Sequence, residues 1–224
     1  MGSDDQFHKR KARKSAALQR QRIERARYKR CLIVCEGTKT EPHYFHELLE
    51  DLGIPPQVVR IAPNDGASPD RVVARALALY TEDAESGDAY DMVYCVFDRD
   101  RHATFDAAVK RTEDLSAAGT PLLAITSTPC FEFWLLLHFG YTAQPFHAAG
   151  RKSVGDQVVA VLKTKPGFGK YGKGQKGICG LLKDKLDDAL KNAEKLRRHC
   201  AATESVNPAT DIDKLVLELL KLRR

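Results

Sequence analysis

The chain has no apolar run long enough to cross a membrane; its most apolar stretch, FEFWLLLHFG, is about half a span. Its basic start is not followed by an apolar segment, so no secretory signal is expected. The six cysteines (Cys31, Cys35, Cys95, Cys130, Cys179, Cys200) never fall at CxxC spacing and mostly sit in apolar runs. That argues against the common zinc frameworks and for reduced core thiols. No internal repeat is present. These absences predict a soluble, cytoplasmic protein with no membrane partner.

What is present is enough for a core. The chain has 224 residues and 43% hydrophobic content, which suits one large domain or one domain with an attached subdomain. The net charge of +6 is uneven: residues 1–30 hold eleven Lys/Arg against three Asp/Glu, so the remainder is slightly acidic. The segment FHKRKARKSAALQRQRIERARYKR favours helix but lacks an apolar face of any width. Residues 1–29 therefore read as a basic helix or tail, serving either solubility or contact with nucleic-acid phosphates.

From Arg30 onward short apolar runs alternate with helical stretches. CLIVCE (31–36), QVVRIA (57–62), DMVYCVF (91–97) and PLLAITS (121–127) read as four buried strands. EPHYFHELLEDLG, SPDRVVARALALYTEDAE and FDAAVKRTEDLSAAG read as the helices between them, the second capped by Ser68 with Pro69 in its first turn. This alternation predicts an α/β fold with a mainly parallel, four-stranded sheet over 30–140. Residues 141–224 then supply a Lys/Gly-rich loop, a short helix near 153–162, a long helix through GICGLLKDKLDDALKNAEKLRRHCAA, and a last helix with Pro208 in its first turn. This helical extension is expected to pack back on the sheet.

In open α/β sheets, sites form at the carboxyl ends of strands. Here strand one ends in Glu36-Gly37 and strand three in Asp98-Arg99-Asp100. If those strands are neighbours, Glu36, Asp98 and Asp100 converge, and like charges held together call for a cation. Three carboxylates suit Mg²⁺ or Mn²⁺, hard ions that take oxygen ligands. The plain alternative is that Arg99 and Arg101 neutralise the aspartates. Gly37 would let backbone approach a phosphate, and Lys39 could steady it. Glu132, at the start of a helix after strand four, is either a further metal or catalytic carboxylate or a residue favoured by the helix dipole. Glu41 has the same ambiguity, with helix capping the stronger reading. His102 lies close enough to touch substrate, whereas His138 reads as structural. PGFGKYGKGQKG (166–177) satisfies GxxxxGK, but Gly174 stands where Ser or Thr should hold Mg²⁺ and no strand leads in. It is not a P-loop. Lys170 and Lys173, with Tyr171 between them, suit either a clamp on a nucleic-acid backbone with base stacking or a solvated loop.

Two motifs, VCEGTKTEPHYF and VFDRDRH, resemble the Toprim pattern. Together with STPCFEFWLLLHF and NPATDIDKLVLEL they resemble the RloB-like family over about residues 30–220. The resemblance implies a Toprim-like nuclease of bacterial antiviral defence, a toxic effector often found beside an ABC-type or AAA-type ATPase. Glu36 matches the Toprim glutamate, and Asp98 and Asp100 its DxD. No tyrosine takes a nucleophile's place, so water is the expected nucleophile. The implied activity is metal-dependent hydrolysis of phosphodiester bonds in RNA, tRNA among it, or DNA. Glu36, Asp98, Asp100 and Glu132 would do the catalytic work, and Lys39, Arg99, Arg101, His102, Lys170 and Lys173 would hold phosphates. A homodimer is compatible with this reading. Its rival is a non-catalytic Toprim module that binds nucleic acid through the basic N-terminus.

Overall fold

The computed structural model describes residues 29–64, 68–99 and 103–223. The basic segment over 1–28 lies outside the described residues. Four apolar runs form strands as their composition dictates: β1 (Cys31–Cys35), β2 (Val59–Pro63), β3 (Met92–Asp98) and β4 (Leu122–Thr128). The sheet order is β2-β1-β3-β4-β5, with the first four strands parallel. The chain passes from β1 out to β2, then back across β1 to β3. The topological switch point therefore falls between β1 and β3.

Alternation along β1 sends side chains to two cores. Leu32 and Val34 face one, formed with α2 (Pro69–Glu85) and α3 (Phe105–Ala117) through Val72, Val73, Leu79 and Phe105. Cys31, Ile33 and Cys35 face the other and larger one. There the sheet meets α1 (Thr40–Leu52), α4 (Glu132–Leu137), α7 (Leu186–Thr203) and α8 (Ile212–Lys221). Helix α1 ends as the sequence predicts: Gly53 takes φ 67° and its N–H reaches the Leu49 and Glu50 carbonyls. Helix α5 (Val154–Leu162) starts on a capping box between Ser153 and Asp156. Helix α4 is apolar on every side after Glu132, and all six of its residues are buried. The indole N–H of Trp134 is satisfied there by the Tyr44 hydroxyl at 2.9 Å.

Two expectations fail in the C-terminal third. The long helix is broken: α6 (Ile178–Leu182) is followed by a 3₁₀ turn over Lys183–Lys185 before α7 begins. Pro208 does not open the last helix. It precedes β5 (Ala209–Thr210), a fifth strand that pairs antiparallel with Ser127 and Thr128, and α8 starts only at Ile212. A two-residue strand carries no periodicity that could reveal it.

Helix α1 is the keystone of the larger core, because Phe45 is 0% exposed and meets Tyr44 and Phe131 edge-on. Phe45→Ala is expected to cost about 3–5 kcal/mol in urea unfolding. Leu123→Ala, on a side chain 40% exposed, should cost less than about 1 kcal/mol. Equal losses at the two positions would contradict this account of the core.

Candidate active site

Glu36 and Asp98 meet at the switch point. The pairing of Cys35 with Val96 places the ends of β1 and β3 side by side. There the backbone N–H of Asp98 donates to Glu36 Oε2 at 3.0 Å. The Asp98 carboxylate accepts in turn from the backbone N–H of Phe131 at 3.1 Å, which ties strand β3 to the start of α4. The next residue, Glu132, is 2% exposed and accepts a hydrogen bond from the Tyr171 hydroxyl at 3.2 Å.

A further carboxylate joins them. Glu41, in the first turn of α1, is 8% exposed rather than a solvated cap. A Cβ built on Gly37 would sit 2.5 Å from Glu41 Oε2, so the glycine leaves room for this carboxyl group. Burial, reinforced by the charges of Glu132 and Glu36, pushes the Glu41 carboxyl up to about 7. Burial together with Glu41 and Glu132 also holds Asp98 well above the usual carboxylate range. The sequence makes helix capping the stronger reading of Glu41, because a glutamate in a first helical turn usually complements the helix dipole. The signal that marks it is a glycine one residue after Glu36, opposite a side chain that returns from the next helix.

The arginine alternative fails for Arg99. Alternation turns Arg99 to the sheet face opposite Asp98. Its guanidinium pairs with Asp106 at 3.1 Å and lies over the Phe105 ring. Asp100, Arg101 and His102 lie outside the described residues. Among the described residues, the cation that feels the carboxylates is Lys173. The Glu132 carboxylate, with Asp98 and Glu41 behind it, holds the Lys173 ammonium above the usual lysine range against the opposing effect of burial.

Lys173 is carried there by a docked loop. The Gly174 N–H donates to Thr40 Oγ1 at 2.9 Å, and its carbonyl lies 3.0 Å from His43 Nδ1. The Glu47 carboxylate accepts from the N–H groups of Gly177 and Cys179. Gly174 has φ +81°, and a Cβ there would fall 2.8 Å from Lys39 Cβ, so the turn over Lys39 requires glycine. The proposed base-stacking role of Tyr171 is not supported: its ring is 2% exposed and its hydroxyl is committed to Glu132. Lys39 and Lys170 are exposed beside this loop.

The donor set is all oxygen, with Glu41 and Glu132 buried and Glu36 and Asp98 half-buried, a chemistry that suits hard ions such as Mg²⁺ or Mn²⁺. Among the described residues no three His, Cys, Asp or Glu side chains are already spaced to hold one ion.

The raised Glu41 value has a consequence for stability. Its folded pKa lies above its unfolded one, so the folded state holds the extra proton between about 4.5 and about 7. Stability from this group is present below that window and is lost as pH rises through it. With metal chelated, raising the pH from 5 to 7.5 should destabilise the wild type by up to about 3 kcal/mol more than Glu41→Gln. Urea unfolding at the two pH values measures the difference, and parallel behaviour of the two proteins would refute the buried-carboxylate assignment.

A family model of RloB-like proteins matches residues 31–219. Neither a curated protein nor a solved structure matches the chain. The matched span contains the whole sheet, both helical layers and every carboxylate of the site, and the chain belongs to the RloB-like family.

Proposed function

We propose that the protein is a metal-dependent nuclease that hydrolyses phosphodiester bonds in RNA or DNA. One observation carries the reading: Glu36, Glu41, Asp98 and Glu132 gather at the switch point with Asp98 and Glu41 held above the ordinary carboxylate range. Such a cluster is costly to keep unless its charge is used. Glu36 and Asp98, with Asp100 two residues beyond Asp98 in sequence and Glu41 and Glu132 buried behind them, would hold Mg²⁺ or Mn²⁺. Bound there, the ion would supply Lewis acidity and a water of lowered pKa.

The protein's own groups have separable tasks. Glu36 accepts the proton of the attacking water. The Phe131 N–H and Tyr171 hydroxyl fix Asp98 and Glu132 and so keep the anionic edge in place. Lys173 brings positive charge to where the phosphorane-like transition state gathers negative charge. Lys39 and Lys170, exposed beside it, extend the contact along the nucleic-acid backbone.

Membership of the RloB-like family supports the biological setting. In this reading the chain is a toxic effector of antiviral defence that acts in the cytoplasm and is held in check by an ABC-type or AAA-type ATPase. Among the described residues no helix is long and apolar enough to cross a membrane.

Calorimetric titration of Mn²⁺ and Mg²⁺ into the wild type and Asp98→Asn, followed by incubation with mixed tRNA and plasmid DNA, tests the reading. The wild type should bind metal and cleave. Asp98→Asn should remain folded, with binding and cleavage each at least about a hundredfold weaker. A wild type that neither binds metal nor cuts would transfer the case to a binding module, in which deletion of residues 1–28 abolishes nucleic-acid binding.

A further inference from the structure

The surface beside the carboxylate cluster carries positive charge that the fold does not consume. Residues 151–176 hold seven Lys/Arg against one acid, Asp156. That acid is already used, because it accepts from the Ser153 N–H and hydroxyl in the capping box of α5, each at 2.8 Å. Elsewhere exposed lysines close on carboxylates, as Lys110 does on Asp114, Lys183 on Asp51 and Lys214 on Asp211. By contrast, Lys39, Arg151, Lys152, Lys170 and Lys173 are exposed and make no direct ion pair among the described residues.

These side chains belong to one rim. Lys39 lies under the turn that follows Lys173, where a Cβ on Gly174 would fall 2.8 Å from Lys39 Cβ. Lys170 precedes Tyr171, whose hydroxyl donates to Glu132. The Asp156 carboxyl is held below the usual range, first by its Ser153 donors and then by the charges of Lys173 and Lys152, so both ammonium groups reach the first turn of α5. Arg151 and Lys152 sit in the turn before that helix, closed by backbone hydrogen bonds between Ala149 and Lys152. That first turn rests on the site itself. A Cβ on Gly155 would meet Cys130 Sγ at 3.8 Å, and the next residue, Phe131, gives its N–H to Asp98.

The composition of the rim narrows what it can hold. Proteins that grip unpaired strands stack the bases on aromatic side chains. Among the described residues no Phe, Tyr or Trp is exposed, and the loop's two rings, Phe168 and Tyr171, are buried in the larger core. Lysines contact phosphates as point charges, and such contacts position a nucleic acid without reading its bases. The phosphates of a double helix lie on its outside, so this rim reaches them with every base still stacked. We infer that the substrate is held as a base-paired helix whose backbone lies across the rim from Lys39 to Arg151, beside the scissile phosphate. The inference rests on the nuclease reading above and names the substrate class of that site.

Fluorescence anisotropy of the full chain, with metal chelated so that nothing is cut, tests it. The probes are a short blunt-ended DNA duplex, an RNA duplex of the same length, and their separated strands. At least one duplex should bind about tenfold or more tighter than its own strands. Arg151→Gln/Lys152→Gln should weaken that duplex by about tenfold and lower the slope of log K against log salt by about two. Lys110→Gln, on the helix against the opposite face of the sheet, should change neither. Lys170→Gln should lower the slope by about one, which keeps the test decisive if the double variant does not fold. The inference alone is overturned if single strands bind as tightly as the duplexes, or if the folded variants keep the wild-type affinity and slope. A wild type that binds none of the probes removes the nuclease reading together with it.

Discussion

The parallel pairing of β1 with β3 is the constraint on which the molecule's chemistry depends, because it forces two acidic strand ends to share one edge of the sheet. Once the ladder is in register, Glu36 lies within reach of the Asp98 N–H, and the pairing keeps the two acidic strand ends side by side. Adding Glu41 and Glu132 concentrates charge further, in surroundings that strengthen repulsion by excluding water. The neighbouring structure can be understood as the means of holding that repulsion still. Gly37 makes room, the Phe131 N–H and Tyr171 hydroxyl donate, and Lys173 supplies opposite charge.

The loop that brings Lys173 illustrates how a polar, glycine-rich segment can be ordered by its partners. Lys/Gly composition alone suggests a solvated connection. Here Phe168 and Tyr171 are buried in the larger core, and α1 supplies Thr40, His43 and Glu47 as polar anchors. Helix α1 therefore serves both sides of the problem, since its first turn delivers Glu41 and its exposed flank carries the loop with the counter-charge.

Much of the architecture was legible before any coordinates. Parallel strands buried on both faces appear as near-continuous apolar runs, so β1 to β4 could be placed within a residue or two. The acidic endings of β1 and β3 were visible for the same reason, as polar residues that interrupt such runs. Alternation along a strand also disqualifies Arg99 as the partner of Asp98, since adjacent residues face opposite ways. By contrast, β5 is too short to leave a pattern, and the 3₁₀ break before α7 falls within a stretch of otherwise helical composition.

By itself, the sequence determined the local elements, the two-faced burial of the sheet and the acidic strand ends, because hydrophobic periodicity and strand-end chemistry are properties of neighbouring residues. Only the tertiary structure decided which strands lie side by side. It also decided that Glu41 turns toward Gly37 rather than to solvent, that Tyr171 faces Glu132 rather than a base, and that Lys173 answers the carboxylates from more than 130 residues beyond Glu36. Those outcomes depend on contacts between segments far apart in the chain, and no local pattern encodes them.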